Sequence, residues 1–178
     1  MSPLGKRRAI GIALALAIFV VDQWVKWWVT GPLDLQRVGA IKVLPFFDLR
    51  FTQNFGISLG MFEATSPEMR WALVLVTGII ALVVTVWMMR ERTLGDILGL
   101  SLILGGALGN IRDRYALGYV IDYADLHFGT FRPFLIFNIA DAAITIGVVI
   151  ILARAFLMRD TVDDMMNEKP ASAGEKAR

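Results

Sequence analysis

Four apolar runs, each about as long as a bilayer crossing, limit this chain to one kind of architecture. They lie at about 10–29, 69–89, 94–111 and 134–158. A helix needs roughly 20 mostly apolar residues to cross a hydrocarbon core of about 30 Å. Inside that core, backbone amides are satisfied only by a helix or a closed barrel. The sequence is therefore expected to form an all-α polytopic membrane protein with four transmembrane helices, one domain over residues 1–159. The outer loops fall at about 30–68 and 112–133, and residues 160–178 read as a disordered cytoplasmic tail. Composition agrees, since only 19% of the 178 residues are charged, against about 25% in a soluble domain.

Flanking charge points to an orientation, although the opposite loops also hold basic residues. The net charge is only +2 and scattered, which argues against a nucleic-acid partner and for membrane-flanking cations. "KRR" at Lys6–Arg8, "RER" at Arg90–Arg92, Arg154 and Arg159 flank one side. That side, with both termini, is expected to be cytoplasmic. Trp24, Trp27, Trp28 and Trp71 gather at the other rim as an aromatic belt would. "KRR" before an apolar run also suits a signal peptide, but the run is long, lacks a small-residue cleavage site and precedes further spans, so a retained helix is expected. There is no cysteine, which excludes disulfides, thiolate metal sites and a cysteine nucleophile.

Local signals refine the frame. "TSPE" at Thr65–Glu68 supplies a cap, a capping-box acid and a first-turn proline for span two. Gly95/Gly99 and Gly105/Gly109 have the GxxxG spacing that lets helices approach closely. In "FFDLRFTQN", Phe47, Leu49 and Phe51 alternate with Asp48, Arg50 and Thr52, which predicts an amphipathic strand and a small sheet on the membrane surface.

Charged and polar groups at membrane depth are candidates for function. "DQWVK" puts Asp22 and Lys26 four apart on one helical face, as a snorkelling structural pair or as substrate contacts. "GGALGNIRDR" puts Asn110, Asp113 and Arg114 on one face at the end of span three, in bracing or catalytic roles. "FNIADAAIT" puts Asn138, Asp141 and Thr145 on a stripe of span four, with Asp141 one or two turns into the helix. Asp122, in the loop joining spans three and four, is the partner best placed to meet Asp141. Asp125 and His127 are expected to do no more than keep that loop wet.

Two facing aspartates suit amide hydrolysis. One carboxylate takes a proton from water while the other, protonated, donates to the carbonyl oxygen and then to the leaving nitrogen; like charges at close range favour sharing one proton. Neither metal nor cofactor is called for. Rival chemistries fit less well. A serine triad would need His127, the single histidine, far from any serine. A serine–lysine dyad would use Lys26 with Ser58 or Ser101. A metal site from Asp122, Asp125 and His127 matches no familiar spacing. A small ion- or proton-coupled transporter would spread its polar residues through the bilayer and show an inverted repeat, whereas here they gather at one rim. A purely structural subunit would leave the desolvation of Asp141 without a purpose.

With these motifs in order, the chain resembles lipoprotein signal peptidase (signal peptidase II) up to about Met158. "DQWVK" is similar to the family's D-x-x-x-K, and "QNFG" to its N-x-G, giving Asn54 and Gly56. "GNIRDR" with "VIDY", and "FNIAD", match its most specific motifs. The resemblance implies an aspartic endopeptidase of the bacterial inner membrane, with its active site near the periplasmic face. Its substrate would be a diacylglyceryl-modified prolipoprotein, cut just before the lipidated cysteine. It also implies a small periplasmic β-sheet and a short periplasmic helix. Asp122 and Asp141 would be the catalytic pair, supported by Asn54, Asn110, Asp113, Arg114 and Asn138. Nothing demands more than a monomer. Ile57, Ser58 and Leu59 depart from the small residues and phenylalanine that many members carry after N-x-G, which bears on the groove lining.

Overall fold

The computed structural model describes residues 2–56 and 67–167. In chain order they form α1 (Pro3–Thr30), α2 (Leu35–Val38), β1 (Ala40–Leu44), β2 (Phe47–Asn54), α3 (Pro67–Arg90), α4 (Leu94–Leu117), β3 (Val120–Leu126) and α5 (Ile139–Asn167). Among the described residues, α1, α3, α4 and the Ile139–Leu157 part of α5 are long and apolar enough to cross a membrane. Thr65 and the residues Ile57–Leu59 lie outside the described residues, and with them the expected cap of span two and the groove lining. The short helix α2 follows α1 directly and buries Leu35.

The bundle is built on α4, which packs against α5, α1 and α3, while α1 and α3 barely meet. Glycine makes this closeness possible. A Cβ on Gly105 would strike the Ala15 carbonyl of α1, one on Gly106 the Ala140 carbonyl of α5, and one on Gly109 the Asp22 carboxylate. Gly99 and Gly147 face each other across α4 and α5 in the same way. Gly78 of α3 has open space around its Cβ position. Gly106→Val should therefore force α4 and α5 apart and lower the thermal midpoint by several degrees, about 1–3 kcal/mol of overpacking. Gly78→Val in the same melting assay should leave the midpoint near that of the parent, and equal behaviour of the two variants would refute the close-packing account.

At one end of the bundle the loops form a three-stranded antiparallel sheet in the order β1-β2-β3. The predicted strand at Phe47–Thr52 is β2, extended to Asn54. The third strand was not anticipated. β3 is buried at every position but its last, so it has no alternation to read. It pairs with β2 in a register that sets Thr52 opposite Asp122 and Asp48 opposite Asp125.

Two span boundaries differ from expectation. Span three runs past Ile111 to Leu117, where Gly118 at φ +91° stops it, its N–H bonded to the Arg114 carbonyl at 3.2 Å. Asn110, Asp113 and Arg114 are buried against other polar groups rather than marking a helix end. Span four begins at Ile139, not near Phe134. Phe137 instead pairs with Ala124 of β3 through N–H···O bonds of 2.8 and 3.1 Å. The helix then continues beyond Arg159 to Asn167, through a stretch with no proline or glycine to end it.

Candidate functional site

The polar residues singled out in the sequence converge where the sheet meets the ends of α1, α4 and α5. The sheet delivers Asp122. It is 2% exposed, held by the Asn54 amide at 2.9 Å on Oδ2 and the Asn138 amide at 2.7 Å on Oδ1. Asn54 is itself fixed because its Oδ1 accepts the Gly56 N–H at 3.1 Å. The Gly56 carbonyl in turn accepts from Arg114 Nη2 at 2.7 Å.

The Phe137–Ala124 bridge places Asn138 directly before α5, where it caps the helix. Its Oδ1 accepts the Asp141 N–H at 2.9 Å, and Asp141 Oδ2 accepts the Asn138 N–H at 3.3 Å. This is a reciprocal capping box. Asp141 thus sits in the first turn of α5 rather than one or two turns in, where the positive end of the helix favours negative charge. The expected stripe through Thr145 does not extend into the site, because Thr145 is exposed and donates to the Asp141 carbonyl. Asp141 Oδ1 takes a 2.8 Å bond from Asn110, so α4 and α5 both position it.

Burial, then the charge of Asp141, pushes the Asp122 carboxyl up to about 7, against the opposing hydrogen bonds from Asn54 and Asn138 and the charge of Lys26. Burial likewise pushes the neighbouring Tyr123 hydroxyl up. Arg114 lies within electrostatic reach of Asp113, Asp122 and Asp141.

Beneath the pair lies an ionic cluster. Lys26 Nζ is 2.8 Å from both Asp22 and Asp113, all three at most 2% exposed. The pair is buried, not snorkelling, because α4 and α5 cover its face of α1. Lys26 also donates to Asn110 Oδ1 at 3.3 Å. Asp22 caps α5 from outside by accepting the Ala140 N–H at 3.0 Å. Asp113 accepts the Ile121 N–H at 3.4 Å, tying β3 to α4.

Gln23 belongs to this cluster and was missed. Its amide donates to Asp22, Asp113 and the Gly109 carbonyl at 3.0–3.2 Å. A polar residue beside Asp22 in an otherwise apolar run was the available signal. Asp125 is not a wet loop residue. It is fully buried, with Arg132 at 3.0 Å and Arg50 at 3.3 Å, partners that only the strand pairing brings together. His127 lies 3.3 Å from Asp48. Ser101, the candidate for a dyad with Lys26, instead donates to the Ile97 carbonyl of its own helix at 2.5 Å.

Four apolar helices carrying a buried network of carboxylates, amides and cations at one end define a multi-pass membrane enzyme. The model of the signal peptidase (SPase) II family matches residues 14–157, and the chain belongs to that peptidase family. It is 55% identical to the lipoprotein signal peptidase of Sphingopyxis alaskensis, over 83% of this chain and 86% of the relative. It is 48% identical to that of Rhizorhabdus wittichii, over 86% and 89%. A solved bacterial membrane enzyme structure at 2.3 Å resolution superposes with a TM-score of 0.74 at 28% identity, over 87% of this chain and 91% of that one. Family membership sets the transporter alternative aside.

Proposed function

We propose that this peptidase removes the signal peptide from diacylglyceryl-modified prolipoproteins, cutting just before the lipidated cysteine, with Asp122 and Asp141 as the reacting pair. The observation that carries the assignment is the convergence of the two carboxylates on one residue, Asn138, which donates to Asp122 through its side chain and to Asp141 through its backbone N–H. The buried Asp122 holds the proton; the more accessible Asp141 is the base. Asp141 takes a proton from water as the water oxygen bonds to the scissile carbonyl carbon. Asp122 gives its proton to the carbonyl oxygen. As the tetrahedral gem-diol collapses, the C–N bond breaks, Asp141 gives the water-derived proton to the nitrogen, and a gem-diol hydroxyl returns its proton to Asp122, which restores the one-proton pair. Asn54, Asn110 and Asn138 hold the carboxylates, while Arg114 and the Asp22–Lys26–Asp113 cluster brace the helices that carry them.

The site end would face the periplasm of the inner membrane, with both termini cytoplasmic and the chain monomeric. Exposed Trp24, Trp27, Trp28 and Trp71 at that end support this orientation, as do the arginines at the opposite end. Purified protein given a lipidated prolipoprotein should yield the shorter product on a gel; intact substrate after prolonged incubation would sink the assignment.

A pH profile tests which carboxylate holds the proton. Asp122, pushed up to about 7, is protonated below that pH and ionised above it. kcat/KM should therefore fall as pH rises through about 7. Asn54 donates to the ionised form, so Asn54→Ala should move that alkaline limb to higher pH. A limb that stays in place or moves down would assign the proton elsewhere. Stability carries the same sign: the folded state holds this proton more tightly than an unfolded Asp near 3.9, so the contribution is full below about 3.9 and is lost as pH rises through about 7.

A further inference from the structure

The back of α4, away from the carboxylates, carries an apolar groove that the peptidase reaction does not use. Because α1 and α3 both lean on α4 and barely touch each other, a furrow of about 490 Å³ opens between them. Ala15 and Leu16 of α1, Gly78 and Ala81 of α3, and Leu104 and Leu108 of α4 line it. A second hollow of about 360 Å³ shares Leu16, Leu108 and Ile111 with the first. It carries the furrow on toward the sheet-bearing end, where Arg112 and Tyr115 line it.

Shape and charge together select the occupant. Between Leu104 and Ile111 the furrow follows α4 for about 10 Å between apolar side chains, a surface that suits a hydrocarbon chain. At its mouth Arg112 is the one charged lining residue among the described residues, with its side chain 57% exposed and a loose 3.9 Å approach to Asp113. Beside Tyr115, Arg70 donates to the Arg114 carbonyl at 2.8 Å and to the Tyr115 carbonyl, and its guanidinium lies 5.2 Å from the Trp71 ring centre. Trp71 packs edge-on against Tyr115 with ring centres 5.6 Å apart. The mouth is therefore cationic and aromatic, at the end of a furrow lined by apolar side chains.

We propose that this furrow is a binding site for an anionic phospholipid, one acyl chain lying between α1 and α3 and the phosphate resting on Arg112. The site is separate from the carboxylates, since Leu104, Leu108, Ile111 and Tyr115 occupy one face of α4 and Asn110 and Asp113 another.

The full chain, purified and mixed with equal amounts of phosphatidylglycerol and phosphatidylcholine of matched acyl chains, is examined by native mass spectrometry. One phosphatidylglycerol should remain bound under conditions that strip phosphatidylcholine. Arg112→Gln should lower its retention about tenfold, the weight of one charge-assisted hydrogen bond. Gly78→Phe, which has room to place its ring in the furrow, should displace the lipid while Arg112 is intact. Equal retention of the two lipids by the parent protein would mean a non-specific lipid shell and overturn the site, as would retention untouched by both variants. A photoreactive side chain at Ala81 that crosslinks to protein rather than lipid would also overturn it, in favour of a helical partner.

Discussion

Asp122→Asn and Asp141→Asn will each slow cleavage of a lipidated prolipoprotein by at least about 10²–10⁴-fold, the range expected when positioned acid–base catalysis is removed. The two variants should fail for different reasons. Asp122 accepts hydrogen bonds from two side-chain amides, and an asparagine there still has an oxygen to accept one of them but no proton to give. Asp141 also completes the α5 capping box, so its asparagine variant loses the base while keeping an oxygen for the cap. Both proteins should therefore remain helical and elute as the parent does. The double variant should be little worse than either single one, because groups acting as one unit are not additive. Parent-like turnover in either single variant would remove that residue from the reaction.

Lys26→Met is the substitution with the largest expected effect on stability. It leaves Asp22 and Asp113, both wholly buried, without the cation that lies 2.8 Å from each. Removing one partner of a buried ion pair costs about 3–5 kcal/mol, which lowers the melting midpoint of a chain this size by about 10 °C. Adding Asp113→Asn restores the net charge of the cluster and should recover part of that loss. Asp113→Asn alone should be milder, since Lys26 keeps Asp22. Tryptophan fluorescence during heating reads all three. A Lys26→Met midpoint within about 2 °C of the parent would mean the cluster is not what holds α1 to α4.

The helices were legible because apolar length is a physical requirement of the bilayer, and β2 because one of its faces alternates. The motif residues were legible because polar groups stand out in apolar runs. Their partners were not. β3 is buried along nearly its whole length, so its sequence carries no period of two, and the Asp125 contacts with Arg50 and Arg132 depend on its pairing with β2. The apolar run before Asn138 looks like a continuation of span four. Only the pairing of Phe137 with Ala124 reveals that the helix begins one residue after the asparagine. That single boundary changes Asp141 from a residue one or two turns into a helix to the acid of a capping box. Gln23 escaped notice because an uncharged amide beside Asp22 looks incidental until Gly109 and Asp113 are seen within reach of it.

The long-range pairing of β2 with β3 also bears on when the protein becomes active. Asn54 reaches Asp122 across 68 residues of chain, and Asp22 reaches the start of α5 across 118. The centre therefore draws on the first span and the last, and its second carboxylate arrives only with α5. A chain emerging from the ribosome with three spans inserted holds Asp122 but neither Asp141 nor the Asn138 cap. With Asp122 and Asp141 as the proposed reacting pair, proteolytic competence would arrive only with the last span, and a half-made copy would be silent toward every signal peptide that shares its bilayer.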